Sequence, residues 1–125
     1  MRAIGIGCRA GRPAEAVLAV IAQAIAGLSP GRGPLMICTS VAKLSEPGIV
    51  QAARRLGLPL HGFPPDVLAA ERARLVTLSA RVEAVTGLPG IAEAAALAAV
   101  GPLGTLILPR FSLDGVTGAV AEDRP

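Results

Sequence analysis

Close to the start of the chain, Gly5, Gly7 and Gly11 are interleaved with Cys8, Arg9 and Arg12 in the stretch GIGCRAGR. Glycines at a strand end let a ligand approach the backbone, and arginines beside them favour an anionic one. A second group follows in TSVAKLSE, where Thr39 and Ser40 supply hydroxyls, Lys43 a point charge and Glu46 a carboxylate. For hydrolytic chemistry Glu46 is the candidate general base, with Lys43 or Arg9 stabilising developing negative charge. Glu93, in an alanine-rich segment, is one of few acids placed to lie near a core edge.

Each group also has a plainer reading. The glycines and arginines fit a strand-to-helix turn with solvated guanidinium groups. Lys43 and Glu46 can pair with each other at a helix start, and Glu93 can offset the dipole of its own helix. Gly5-Ile6-Gly7-Cys8-Arg9-Ala10 matches the loose dinucleotide fingerprint, but no acid stands at Ile37-Cys38-Thr39-Ser40 to hold a ribose. There is no Gly-Lys-Ser/Thr for a phosphate loop. Ser79 lacks a nucleophile elbow, and His61 is the sole histidine, which argues against a Ser–His–Asp triad. Cys8 and Cys38 lack CxxC spacing, so no protein-built metal site and no cofactor are expected.

The elements that place these residues are legible from period and punctuation. Residues 2–8 read as a buried strand, with Ile4, Ile6 and Cys8 on one face. On that alternation Cys8 is a structural thiol under a helix, with Arg9 pointing the other way. A helix runs from Pro13 to about Ala26, ended by Gly27. Residues 34–42 form a second strand, apolar on both faces. Ser45 is positioned to cap a helix through Arg55, with Gly57 just past its end. Residues 58–63 are a third strand. Pro64, Pro65 and Asp66 open another helix, and Ser79 caps one that stops at Gly87. Residues 90–100 form an alanine-rich helix. Strands at 104–109 and 115–121, joined by about six residues, make an antiparallel hairpin. The expected fold is a three-layer αβα sandwich with a mixed, five-stranded sheet, and residues 1–125 form one domain. Ligands of such sheets sit beyond the carboxyl ends of the parallel strands, where Arg9, Gly11 and Arg12 fall and helix N–H groups favour anions.

Composition narrows the partners. Hydrophobic residues make up 52% of the 125 and mean hydropathy is +0.60, which indicates a folded chain. No apolar run reaches the ~18 residues of a membrane span. Residues 1–62 hold seven basic and two acidic side chains, whereas 63–125 hold five basic and seven acidic. The basic half points to a small anionic ligand, because its arginines are scattered. With no Trp or Tyr and only Phe63 and Phe111, single-stranded nucleic acid would lack stacking platforms. Two cysteines within apolar strands read as reduced thiols in a cytoplasmic protein.

An ordered set of motifs resembles the cobalamin-biosynthesis family of CobE proteins and CbiG C-terminal domains. The matching pieces are Gly5-x-Gly7-Cys8-Arg9-x-Gly11, Thr39-x-x-x-Lys43-x-x-Glu46-Pro47-Gly48, LGLPL with Phe63, Ser79-x-x-Val82 with Gly87, IAEAAAL, and Val116-Thr117-x-Ala119. The chain departs from the family pattern at Arg110, where a lysine usually follows the fourth strand, and at Glu122, where a basic residue often stands. The resemblance implies a role in corrin ring assembly, most like the stand-alone CobE form. With the sheet-edge reading beside it, Gly7, Arg9, Gly11, Arg12, Thr39, Ser40, Lys43, Glu46, Glu93 and Arg110 are the candidate contacts to a precorrin or corrin intermediate. Such intermediates carry many carboxylates around an apolar macrocycle, so the basic sheet edge suits them. Two functions follow: a carrier or assistant to other corrin-pathway enzymes, or a hydrolase that opens a precorrin lactone with Glu46 as base. No nucleic-acid or membrane partner is implied.

Overall fold

The computed structural model describes residues 1–29, 33–77, 80, 83–84 and 90–123. Five strands form one mixed sheet: β1 (Arg2–Cys8), β2 (Leu35–Ser40), β3 (Leu60–Phe63), β4 (Thr105–Leu113) and β5 (Val116–Glu122), in the order β3-β2-β1-β5-β4. β1 is parallel to β2, and β2 to β3, while β5 is antiparallel to both β1 and β4. Helices α1 (Ala14–Ala26) and α2 (Pro47–Leu56) cover one face, and α3 (Pro65–Ala69) and α4 (Ile91–Val100) the other. The expected α/β architecture with a mixed five-stranded sheet is therefore what the chain adopts.

Alternation along β1 explains why its two faces carry different partners. Ile4 and Ile6 pack with Val17, Val20 and Ile21 of α1 and Ile49 of α2. Ala3 faces the other layer, with Ala94 and Ala95 of α4. Gly5 sits on that second face, and a Cβ there would stand 1.8 Å from the Ala92 carbonyl oxygen. The alanines of α4 and the missing side chain of Gly5 together let helix and sheet backbones nearly touch.

Four local expectations are corrected. Pro13 stands just before α1 as its N-cap, in extended conformation, and its carbonyl accepts the Ala16 and Val17 N–H groups. Ser45 does not cap α2: Glu46 holds the cap position and no side chain caps the helix. Pro47 suits the first helical position, and the Ile49 N–H donates to the Glu46 carbonyl at 3.2 Å. Strand β2 stops at Ser40 and gives way to a short 3-10 turn, Val41–Lys43. The β4–β5 connection is two residues, Asp114 and Gly115, with φ of 51° and 77°. Positive φ at both positions makes the type I′ turn whose twist suits a hairpin. β4 runs on past Pro109 because register shifts between Leu106 and Leu108, and between Leu108 and Phe111, absorb the missing proline donor. Of the helix expected from Ser79 to Gly87, residues 80 and 83–84 are described and helical, and the rest lies outside the described residues.

Candidate functional site

The carboxyl end of β1 is where the sheet opens. Its ladder with β2 ends at Gly5 opposite Cys38, but its ladder with β5 continues to Cys8 opposite Val116. Past Gly5 the Ile6 carbonyl has no β2 N–H, and the Thr39 hydroxyl donates to it at 2.6 Å. Thr39 is fully buried, so its hydroxyl bridges two parting strands and does not face a ligand.

The Arg9–Arg12 turn projects from this opening and is held on both sides. Toward β2, the Gly11 N–H donates to Glu46 Oε1 at 2.9 Å. Toward β5, the Arg9 N–H donates to the Gly115 carbonyl at 3.1 Å, and Arg12 Nη2 donates to Asp114 Oδ2 at 2.9 Å. The three residues Glu46, Pro47 and Gly48 thus have separate duties. Glu46 reaches the turn, Pro47 starts α2, and Gly48 lets α2 press on the backbone of Arg12, whose carbonyl oxygen would be 2.2 Å from a Cβ there. Gly11 has φ of +78°, a conformation that a side chain would strain.

Arg9 is exposed and Lys43 half-buried, and neither forms an ion pair among the described residues. The plainer alternative, a Lys43–Glu46 pair, is not formed: Glu46 instead accepts the Gly11 N–H. Ser40 is half-buried before the 3-10 turn, with no capping hydrogen bond. Gly7 faces Ile91 at the start of α4, and a Cβ there would lie 3.7 Å from the Ile91 Cβ, in ordinary van der Waals contact.

Cys8 shares the face of Ile4 and Ile6, as alternation requires, but is half-buried rather than enclosed. Burial raises its thiol above the ordinary value of 9.0. Lys43 and Arg12 pull it back, and Glu46 pushes it further up. Cys38 is fully buried, and desolvation holds its thiol far above the ordinary range.

Glu93 turns inward. It is fully buried in the first turn of α4. Its Oε1 accepts the N–H groups of Val76 at 2.9 Å and Thr77 at 3.0 Å, and its Oε2 accepts that of Arg110 at 2.9 Å. Three backbone donors satisfy a carboxylate that would otherwise be costly to bury. Glu93 therefore clasps the segment before α4 to strand β4, and Arg110 lies within β4 rather than after it.

The structure thus brings Gly7, Arg9, Gly11, Arg12, Ser40, Lys43 and Glu46 to one edge, and sets Glu93 with the Arg110 backbone on the α4 side. Sequence reasoning missed Asp114, although Asp-Gly between alternating residues is a hairpin signal. A cavity of about 330 Å³ lies at the opposite end of β1, lined by Arg2, Ser29, Leu108 and Glu122 among others. None of the expected site residues lines it. Among the described residues no group of three His, Cys, Asp or Glu side chains gathers to hold a metal. No described helix is long and apolar enough to cross a membrane.

Known proteins are similar to this chain over most of its length. A CobE protein from Sinorhizobium is 35% identical over 119 residues, covering 94% of this chain and 77% of the relative. The crystal structure of CobE, a protein from the cobalamin (vitamin B12) biosynthetic pathway, superposes with a TM-score of 0.85 at 33% identity, over 97% of this chain and 89% of that one. The cobalamin biosynthesis protein chiG from Agrobacterium tumefaciens gives 0.74 at 30% identity over the whole of both chains. Residues 2–121, from the first strand through the hairpin that braces the arginine turn, match the family described as cobalamin synthesis G C-terminus, and the chain belongs to that family of cobalamin biosynthesis proteins.

Proposed function

We propose that the protein binds a carboxylate-rich precorrin or corrin intermediate at the open edge of β1 and β2, as a carrier or assistant in corrin ring formation. The observation that carries this reading is the convergence there of Arg9, Arg12 and Lys43 around the Gly11 turn beyond Gly7. Among the described residues Arg9 and Lys43 have no ion-pair partner, so ligand carboxylates would meet available positive charge. Ser40 and Arg110 are the flanking candidates. The 125 residues act as one domain without a cofactor, and the two free thiols suit a reducing cytoplasm. Enzymes of the same pathway are the natural donors and acceptors of the bound intermediate.

The carrier reading comes first because the convergent cations need only bind their ligand. Glu46, the candidate base, accepts the Gly11 N–H through Oε1, which leaves Oε2 for the hydrolase reading. Titration with hydrogenobyrinic acid and earlier precorrins, followed through the corrin absorption bands, tests the proposal. Saturable binding is expected, and no binding by any of these corrinoids overturns it. Turnover of a purified precorrin lactone, lost in Glu46→Gln, would instead establish the hydrolase.

A further inference from the structure

Two donors of the Arg9–Arg12 turn are already engaged. The Gly11 N–H is held by the Glu46 carboxylate, and the Arg12 guanidinium by the Asp114 carboxylate. Glu46 comes from the segment after β2 and Asp114 from the hairpin tip, so the two approach the turn from opposite flanks. Both contacts are at the surface, with the Asp114 side chain 66% and Arg12 32% exposed. Exposed pairs of this kind exchange readily with competing ions.

We propose that Glu46 and Asp114 are place-holders for ligand carboxylates, and that the site thereby selects ligands that bring carboxylates in pairs. The proposal rests on the reading of this edge as the carboxylate-binding edge. A single incoming carboxylate displaces one place-holder and remains beside the other, which repels it. A ligand with two suitably spaced carboxylates displaces both. Gly11 and Arg12 then exchange like for like, an internal carboxylate for an external one. Displaced Glu46 and Asp114 turn to water, where each is fully solvated. Asp114 is thus a specificity-determining residue, and Glu46 a gate on the Gly11 amide.

The alternative is that the two carboxylates only brace the turn. The two roles predict opposite signs. As place-holders, their removal exposes donors and tightens binding. As braces, their removal loosens the turn and weakens it.

The test compares the wild-type protein with Asp114→Asn, Glu46→Gln and Asp123→Asn. The last removes the same charge at the other end of β5, where Asp123 pairs with the N-terminal ammonium. Three probes are titrated: hydrogenobyrinic acid, propane-1,2,3-tricarboxylate and acetate, with the Gly11 and Arg12 amide resonances followed for the last two. Asp114→Asn and Glu46→Gln are each expected to bind the tricarboxylate three- to tenfold more tightly than wild type, and Asp123→Asn to match wild type within twofold. The variants should also narrow the preference for tricarboxylate over acetate. Unchanged or weaker tricarboxylate binding in both variants overturns the place-holder role, as does binding that leaves the Gly11 amide unmoved. Absence of tricarboxylate binding in all four proteins overturns it too. If the tricarboxylate arm succeeds and hydrogenobyrinic acid binds none of the proteins, the corrinoid reading fails and the place-holder role stands.

Discussion

Gly5 and Ala92 meet backbone to backbone: a Cβ on Gly5 would stand 1.8 Å from the Ala92 carbonyl oxygen and 3.0 Å from the Ala96 nitrogen. Both obstacles are main-chain atoms, which no rotamer change can move aside. Gly5→Ala is therefore expected to lower stability by about 3 kcal/mol, the upper end of overpacking costs. Urea unfolding of the two proteins measures it, and a midpoint equal to wild type would show that α4 does not ride on β1 at this distance.

Thr39→Val retains shape and removes the donor to Ile6. Leaving a buried carbonyl without a partner costs about 1–3 kcal/mol. Thr39→Ser should recover most of that loss. If Val and Ser variants are equally stable, the hydroxyl is not what joins the strands where their ladder ends.

Glu93→Gln keeps the length of the side chain but puts an amide NH₂ among backbone donors. One of the three accepted N–H groups then faces another donor. A loss of about 2–4 kcal/mol is expected, in line with charge-assisted hydrogen bonds and an unmet buried group. Amide hydrogen exchange at Val76, Thr77 and Arg110 should accelerate in the variant, and unchanged protection at all three would refute the clasp.

Arg9→Ala should weaken hydrogenobyrinic acid binding roughly tenfold, about 1.4 kcal/mol, as expected for one charge-assisted contact at an exposed site. The fold should be untouched, because the bond from Arg9 to Gly115 uses the backbone N–H. Equal affinity in wild type and variant would take Arg9 out of the site.

The Cys8 thiol lies above its ordinary value of 9.0, chiefly through burial. Its alkylation by iodoacetamide should be slow at pH 7 and rise with pH above 9. Lys43→Ala, which removes a charge that lowers the value, should slow it further, and Glu46→Gln should speed it. Because the folded value is raised, the unfolded thiol ionises first as pH climbs. Stability contributed by Cys8 is then complete below the unfolded value and declines above it. Fast labelling at neutral pH would contradict this placement.

Much of the fold follows from local rules that need no partner. Ile4 and Ile6 alternate with small residues, Gly27 and Gly57 stop helices, and the alanines of residues 91–100 announce close packing. Boundaries failed where a distant residue decided them. Glu46 is drawn from helix signals toward Gly11, 35 residues away, and Ser45 loses its role as cap. Pro109 reads as a strand end, yet on an edge strand its missing donor is absorbed by a register shift, so the hairpin turn moves to Asp114. For the site, residue types identified the edge but not the direction of each side chain. Thr39 and Glu93 turn inward because unpaired backbone groups of other elements claim them.

The register breaks in β4 also bear on how the molecule avoids its own copies. A nine-residue outer strand offers a row of unpaired main-chain groups, and long flat rows recruit further strands. Here the register shifts around Ile107 and Pro109 throw those groups out of line. A second chain laid along β4 would find matched partners only in short runs. The irregularity that lets the hairpin reach Arg12 thus also leaves the sheet a poor template for runaway growth, even though Ile107 and Leu113 are exposed beside it.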